Sequence, residues 1–377
     1  MRAILPPAML GILGGGQLGR MFTVAAKRMG YRVTVLDPDP EAPAAAFADL
    51  HLCTAWDDAA ALRQLGQTCA AITTEFENVS AQAMTDLARL TRVSPSGECV
   101  AIAQNRIAEK SWINMAGLPT TAYLPAERSA DLEVDLAPYL PGILKTARLG
   151  YDGKGQRRVK TAEEARAAFA ELGGQPCILE KMLELKLELS AIVARTSSAQ
   201  LEVFPVAENR HENGILDVSI VPARIDAALA ARVRDMARKL ADTLDYVGVL
   251  TVEFFLLADD SLVVNEIAPR PHNSGHHTLD ACVTDQFQQQ VRTMCGLLPG
   301  KVELLTPAVM VNVLGDIWPA GGEPHWDVLM EAPNVHLHLY GKREARPGRK
   351  MGHFNVLAAS VEDALEQAEA LRDTLKA

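Results

Sequence analysis

Gly248-Val249-Leu250-Thr251-Val252-Glu253-Phe254-Phe255-Leu256-Leu257, Ala258-Asp259-Asp260-Ser261 and Leu262-Val263-Val264-Asn265-Glu266-Ile267 together form the stretch that decides the fold. The two apolar runs read as strands, and the acidic tetrapeptide between them as a tight turn. With Asp259-Asp260 at the turn centre, antiparallel pairing joins residues whose numbers sum to 519, so Glu253 faces Glu266. Directly opposed side chains lie roughly 4.5–5.5 Å apart, and like charges there repel. Two carboxylates so placed in an apolar hairpin make sense around a hard cation such as Mg²⁺. The bland alternative is a surface hairpin carrying two solvated glutamates. Against it stands the next segment, Ala268-Pro269-Arg270-Pro271-His272-Asn273-Ser274-Gly275-His276-His277, which is polar, basic and turn-prone.

Working outward, 377 residues hold two or three domains, each with an adequate core. A net charge of −10 argues against a general nucleic-acid or membrane-surface binder. The six cysteines show no Cys-x-x-Cys pair and no ligand-like spacing with histidine, so reduced cytosolic thiols are the reading. The opening decapeptide is too short and too Pro-broken for a signal peptide, and no apolar run reaches membrane length. The expectation is a soluble cytoplasmic protein.

The first hundred residues alternate strands (Met9–Leu13, Arg32–Leu36, Ala70–Thr74) with helices (Gln17–Met29, Ala81–Leu90), the wiring of a small parallel sheet. A helix over Arg106–Ala116 opens a second unit. Strands are expected at Ile143–Lys145, Arg157–Lys160, Cys177–Glu180 and Leu185–Ala194, and a helix at Asp226–Leu244. After Pro299 come short strands and turns, then a helix over Val361–Leu375. The division is 1–104, 105–298 and 299–377.

Several loops carry chemistry. Gly14-Gly15-Gly16-Gln17-Leu18-Gly19 fits Gly-x-Gly-x-x-Gly, with Asp37 ending the next strand. Such a loop lets amides approach an anion, and alone it also fits an NAD-dependent oxidoreductase. Lys145-Thr146-Ala147-Arg148-Leu149-Gly150-Tyr151-Asp152-Gly153-Lys154-Gly155-Gln156 leads into a strand, which excludes a P-loop. A glycine hairpin of this kind folds over a triphosphate, with Lys145 neutralising charge. Backbone groups of Glu180-Lys181-Met182-Leu183 can read an adenine edge, and Glu188 is placed to accept from ribose hydroxyls. Six potential cations between Lys342 and His353 suggest a phosphate subsite. His272, His276 and His277 suit no zinc spacing, so polar substrate contacts are expected of them.

The combination resembles the ATP-grasp ligases. More narrowly, GGGQLGRM (14–21), TEFENV (74–79), GYDGKGQ (150–156), NEIAPRPHNSGH (265–276) and RPGRKMGH (346–353) are similar to the N5-carboxyaminoimidazole ribonucleotide synthase family of purine biosynthesis. The resemblance implies an α/β fold with an α+β ATP-grasp domain between an N-terminal parallel-sheet domain and a small β-rich C-terminal domain. The implied reaction joins bicarbonate to 5-aminoimidazole ribonucleotide at the expense of ATP, with Mg²⁺, in a cytoplasmic homodimer that needs no nucleic acid or membrane. By motif position, Arg106 and Lys145 contact ATP phosphates under a lid formed by Gly150, Tyr151, Asp152, Gly153, Lys154, Gly155 and Gln156. Glu180, Lys181, Met182 and Leu183 hold adenine, Glu188 the ribose, and His211 lies near the nucleotide. Glu253 and Glu266 hold metal with Asn265 beside them. Tyr151, Asp152, Lys154, Arg270, His272, Asn273 and Ser274 surround bicarbonate and the amine. Gly16, Gln17, Leu18, Glu75, Lys342, Arg349 and Lys350 hold the ribonucleotide.

Two positions depart from the ATP-grasp pattern. Ala268 stands where many such enzymes carry Asn, while Asn265 precedes the second glutamate and in a regular strand would face away from it unless a bulge intervenes. Lys154 stands where Arg is usual, keeping charge but losing the bidentate fork. A formate-dependent glycinamide ribonucleotide transformylase is the alternative within the class, and a non-catalytic nucleotide sensor lies outside it.

Overall fold

The computed structural model describes residues 2–148, 155–319 and 322–376. The N-terminal unit contains β1 (Met9–Leu13), α1 (Gln17–Arg28), β2 (Arg32–Leu36), β3 (Leu50–Leu52) and α2 (Ala59–Thr68), then β4 (Ala71–Thr74), α3 (Ala81–Leu87), β5 (Arg92–Val93) and α4 (Gly97–Ala103). Its parallel sheet has the order β3-β2-β1-β4-β5. The chain therefore reverses direction across the sheet between β1 and β4. Loops leaving the carboxyl ends of these two strands line the crevice where open α/β sheets bind ligands. They are the glycine loop and the Glu75–Val79 segment.

The central unit begins with α5 (Arg106–Met115), capped by Asn105, whose Oδ1 accepts from the amides of Ile107 and Ala108. A four-stranded antiparallel sheet follows in the order β6-β9-β7-β8, from β6 (Tyr123–Ala126), β7 (Gly142–Thr146), β8 (Gln156–Val159) and β9 (Cys177–Lys181), with α6 (Ala162–Glu171) on one face. The second sheet of this unit uses β10 (Leu185–Arg195), β11 (Leu201–Val203), β12 (Ala207–Glu212) and β13 (Ile215–Val221). After α7 (Ala227–Thr243) it is extended by β14 (Gly248–Leu257) and β15 (Leu262–Ala268). The stripe of Val233, Ala237, Leu240 and Ala241 on α7 packs against β10 and β14 in the largest apolar core.

The remaining elements are α8 (Thr278–Ala281), α9 (Gln286–Met294), β16 (Ala308–Leu314), α10 (Asp327–Met330), β17 (Val335–Leu339), β18 (Lys350–Leu357) and α11 (Val361–Lys376). Strands β16, β18 and β17 continue the central sheet from β13, making nine strands in all. One sheet thus carries side chains from residue 185 to residue 357 into a common space. Helix α9 ties the units together: Phe287, Val291 and Met294 pack among Leu10, Ile12 and Phe22 of the N-terminal core. The periodicity of α9 is hidden because its buried face also holds Gln286, Gln289 and Gln290, each satisfied by hydrogen bonds. Among the described residues no helix is long and apolar enough to cross a membrane.

The β14–β15 hairpin departs from the expected register near its turn. Leu256 pairs with Leu262, Phe255 with Val263 and Phe254 with Val264, sums of 518 rather than 519. The loop has three residues instead of two: Leu257 N–H donates to Ser261 O, and Asp260 adopts a left-handed φ of 62°. Register shifts after Phe254, and Glu253 pairs with Glu266 as expected. The extra residue is Asn265, a β-bulge that puts two consecutive residues opposite one. Phe254, on the other side of the strand, is fully buried in the core. Its replacement by Ala is expected to cost about 3–5 kcal/mol, read as a lower midpoint of urea unfolding.

Candidate active site

A cavity of about 340 Å³ opens between the four-stranded and nine-stranded sheets. Lys145 of β7 and Gln156 of β8 line one side; Glu188, His211, Glu253 and Glu266 line the other, and Lys350 of β18 closes the end. The bulge turns Asn265 toward the same cavity, so it and Glu266 both line it. The sequence pattern of a regular strand cannot give this; a local irregularity does.

Burial, and then the Glu266 charge, push the Glu253 carboxyl up to about 7. Burial works against ionised Glu266 too, but Arg106 and Lys145 outweigh it and hold that carboxylate below its ordinary value. Arg106 Nη1 lies 2.9 Å from Glu266 Oε2. Opposed carboxylates plus an amide-bearing neighbour form an all-oxygen donor set suited to a hard cation. The residues present therefore fit Mg²⁺.

Behind this pair is a buried charge ladder that the sequence did not reveal. Glu180 accepts from Lys145 Nζ at 2.8 Å, and Lys110 Nζ stands 3.5 Å from its other oxygen. Lys110 also donates to the Asn265 carbonyl at 3.1 Å, pinning the bulge. Glu109 accepts from Ile267 N–H at 2.6 Å, and burial followed by the Glu266 charge raises it to about 8. Glu109 and Lys110 of α5, charged as they are, are both buried.

A second polar chain runs from Glu253 into the sheet. His272 Nε2 is 3.2 Å from Glu253 Oε1, and its Nδ1 is 3.0 Å from Ser274 Oγ. Ser190 donates to Ser274, Asn209 donates to Ser190, and Ser219 donates to Asn209. Burial, then Arg270, holds the His272 imidazole well below the ordinary histidine range. Asn273 is only 5% exposed, and both atoms of its amide lack a partner among the described residues. Asn273 also lines the cavity, so its unpaired amide is placed to bond a group held there.

His276 and His277 correct the expectation of substrate contact. Both are fully buried. His276 faces Gln286 and the His353 ring, and His277 bonds the Ser274 carbonyl. His353 likewise leaves the basic cluster, because β18 turns it inward against Tyr340.

The crevice of the N-terminal sheet meets this cavity. Glu75 accepts from the amides of Gly16 and Gly19, and Asp37 accepts from Gly15. The glycine-loop amides are therefore held by two carboxylates of the protein itself, which removes the pyrophosphate cradle of the NAD reading. Gly14 has φ +96°, and a Cβ there would meet Glu75 Cγ at 2.4 Å, so only glycine fits. Gln17 accepts from Lys342, which also donates to the Lys350 carbonyl. The Leu18 side chain instead packs into the N-terminal core, leaving only its backbone for a ligand. Arg349 donates to Glu344 O. Glu77 clasps Arg270, and although burial raises its pKa, Arg270 outweighs that and brings it to about 2.

Glu188 and His211 stand together, Oε2 to Nδ1 at 2.9 Å. Glu180, Lys181, Met182 and Leu183 are not among the cavity-lining residues. The amides of Lys181 and Met182 already bond Ala122 and Pro141 carbonyls. Of the glycine hairpin, Gly155 and Gln156 are described, and Gly155 has φ +70°. Gly150, Tyr151, Asp152, Gly153 and Lys154 lie outside the described residues.

Comparisons with known proteins match this geometry. Family models match residues 8–104 (ribonucleotide synthetase pre-ATP-grasp domain), 111–287 (ATP-grasp domain) and 308–367 (phosphoribosylaminoimidazole carboxylase C-terminal domain). The N5-carboxyaminoimidazole ribonucleotide synthase of Bacillus subtilis strain 168 is 43% identical over 365 residues, covering 97% of this chain and 95% of the relative. The chain belongs to the N5-carboxyaminoimidazole ribonucleotide synthase family. Two solved structures of the family align closely. The Staphylococcus aureus N5-carboxyaminoimidazole synthetase complexed with ADP has a TM-score of 0.90 and 38% identity, with 98% of each chain covered. The Aspergillus clavatus synthase in complex with ADP and 5-aminoimidazole ribonucleotide has a TM-score of 0.89 and 32% identity, again with 98% of each covered.

The serine–asparagine chain gives the test of this arrangement. Asn209→Leu takes from the buried Ser219 hydroxyl its acceptor and from Ser190 one of its two bonds, the one to Ser274 remaining. It is expected to destabilise the protein by about 1–3 kcal/mol, read by urea unfolding beside the unaltered chain.

Proposed function

We infer that this cavity carries out the ATP-dependent carboxylation of purine biosynthesis. Bicarbonate and the amine of 5-aminoimidazole ribonucleotide are joined as ATP is cleaved to ADP and phosphate, giving N5-carboxyaminoimidazole ribonucleotide. The observation that carries this reading is the opposed Glu253–Glu266 pair, with Lys145 and Gln156 on one side of its cavity and Lys350 at the end. Family members crystallised with ADP and with the aminoimidazole ribonucleotide support the substrate pair.

Bicarbonate is a poor electrophile, and transfer of a phosphoryl group from ATP yields carboxyphosphate, which delivers CO₂ to the amine. Phosphoryl transfer asks a protein mainly for position and for neutralised oxygen charge. Arg106 and Lys145 supply fixed cations, and Glu188 with His211 marks the ribose end. Glu253 and Glu266 would hold Mg²⁺, with Asn265 beside them; when bound it neutralises phosphate oxygens and draws them toward the acceptor. Asn273 and His272 face the bicarbonate, and Arg270, fixed by Glu77, stands at the junction with the N-terminal crevice. Gln17, Lys342 and Lys350 converge where the ribonucleotide phosphate would lie, with Glu75 and Arg349 around them. Tyr151, Asp152 and Lys154 belong to the lid that keeps water from the labile intermediate. On the family resemblance the Glu180–Leu183 segment meets the adenine edge, the Glu180 side chain being committed to the lysines and the Lys181 and Met182 amides to the Ala122 and Pro141 carbonyls. On the family resemblance the enzyme is a cytoplasmic homodimer.

The test is ADP release, which is expected only when aminoimidazole ribonucleotide and bicarbonate are both present. Support by glycinamide ribonucleotide with formate would instead assign the transformylase. Glu253→Gln or Glu266→Gln is expected to lower kcat/KM at least about a hundredfold. Turnover left intact by both changes would remove the carboxylate pair from the mechanism.

A further inference from the structure

The motif GGGQLGRM holds one charged side chain that the chemistry above does not use, Arg20. It follows Gln17 by three residues on α1, so the two side chains share a face of that helix. This face meets the segment that joins β17 to β18. Arg20 Nη1 donates to the Tyr340 carbonyl at 3.4 Å, and its guanidinium carbon stands 4.7 Å from the centre of the Phe47 ring. A cation at that range over an aromatic face is attracted by the ring's quadrupole. Gly341 comes next, at φ +77°, and a Cβ there would meet Arg20 Nη1 at 2.6 Å. Glycine meets two needs at 341, the left-handed turn and the close approach of the guanidinium. Among the described residues no carboxylate pairs with Arg20; its partners are a ring and a backbone carbonyl.

The segment seated in this way carries Lys342. Tyr340 is anchored on its other sides, because its N–H donates to Met351 O at 2.9 Å and its hydroxyl lies 2.9 Å from His353 Nδ1. Its carbonyl is the group offered to α1. Two residues on, Lys342 Nζ bonds Gln17 Oε1 and the Lys350 carbonyl. A lysine stem is flexible, and fixing its head costs rotamer entropy unless the backbone starts from the right place. Arg20 holds the backbone just before Lys342, and Gln17 holds the ammonium at its end. Arg343, the next residue, pairs with Glu41 at the rim.

We propose that Arg20 is a positioning residue for the ribonucleotide: by seating Tyr340 and Gly341 on α1, it presents Lys342 beside Gln17 across the boundary between the N-terminal and C-terminal units. The proposal rests on the assignment of Gln17 and Lys342 to the ribonucleotide. Arg20 is not among the residues that line the cavity between the two sheets. Its loss therefore falls on the ribonucleotide, whose site spans the boundary, and spares ATP, which the sheets hold.

Variants of the full chain test this. Arg20→Met keeps the bulk of the stem without the guanidinium, Arg20→Lys keeps a cation over Phe47, and Phe47→Leu removes the ring. ADP release is measured against 5-aminoimidazole ribonucleotide and against ATP, and amide hydrogen exchange is followed in peptides covering 340–350 and 185–195. Arg20→Met is expected to raise the KM for the ribonucleotide at least about tenfold, with kcat and the KM for ATP within about twofold of the unaltered protein. Arg20→Lys is expected to recover most of that loss, and Phe47→Leu to fall between them. Exchange over 340–350 is expected to quicken in Arg20→Met, and exchange over 185–195 to stay as it was. An arginine that only stabilised the fold would disturb both KM values together. Thermal melting checks folding, and if Arg20→Met is unfolded, Phe47→Leu decides by the same readouts. The proposal is overturned if the deciding variant keeps the ribonucleotide KM, if both KM values rise alike, or if exchange over 340–350 is unaltered. An unaltered protein that releases no ADP with ribonucleotide and bicarbonate refutes the functional reading instead, and exchange then decides the seating of residues 340–342 by itself.

Discussion

Everything in the central unit is arranged around two carboxylates that the hairpin forces to face one another. Like charges in directly opposed strand positions repel, and burial raises the cost of ionising both. The fold resolves this asymmetrically. Glu266 receives Arg106 and the field of Lys145, while Glu253 receives the uncharged His272 and is pushed up to about 7. A pair so divided has Arg106 and Lys145 committed to Glu266, which leaves Glu253 as the carboxylate on whose side a Mg²⁺ of the proposed reaction would sit.

The bulge at Asn265 makes the pair possible. Without an extra residue, the three-residue turn would set one register from Leu256 to Thr251, and Asn265 rather than Glu266 would oppose Glu253. The bulge restores the carboxylate pairing and adds the amide to the same face. Lys110 holds it by bonding the Asn265 carbonyl, and Glu109 holds the next turn of backbone at Ile267. The two buried charges of α5 therefore serve the strand as much as the helix.

Much of this was legible in the sequence because the pattern was local. Alternation, turn residues and the apolar stripe of α7 marked the elements, and the glutamates faced each other as their numbering required. What was not legible depends on elements distant in the chain. Nothing in the sequence of α5 marks Glu109 and Lys110 as buried; their partners come from β9 and β15. Gln286, Gln289 and Gln290 disguise α9 because their amides are satisfied by residues far away. The glycine loop read as an anion cradle because nothing in residues 14–19 announces that Glu75 and Asp37 would occupy its amides. His276, His277 and His353 looked like ligand contacts for the opposite reason: polar residues clustered in sequence were turned inward by the strand and short helices that carry them.

The loop amides also explain how one sheet topology serves different substrates. In a dinucleotide site the glycine loop and helix N-terminus meet a pyrophosphate. Here the protein's own carboxylates fill that place, so the crevice at the switch point must recognise its ligand with side chains instead. In the function proposed above Gln17, Lys342 and Lys350 supply them, and Lys342, from the far end of the chain, is joined to Gln17 and to the Lys350 carbonyl. Because β18 belongs to the same sheet as β14, the lysine that meets the N-terminal crevice and the glutamates of the hairpin are fixed in one rigid frame. The placement of the hairpin carboxylates relative to the N-terminal crevice is therefore set by sheet register.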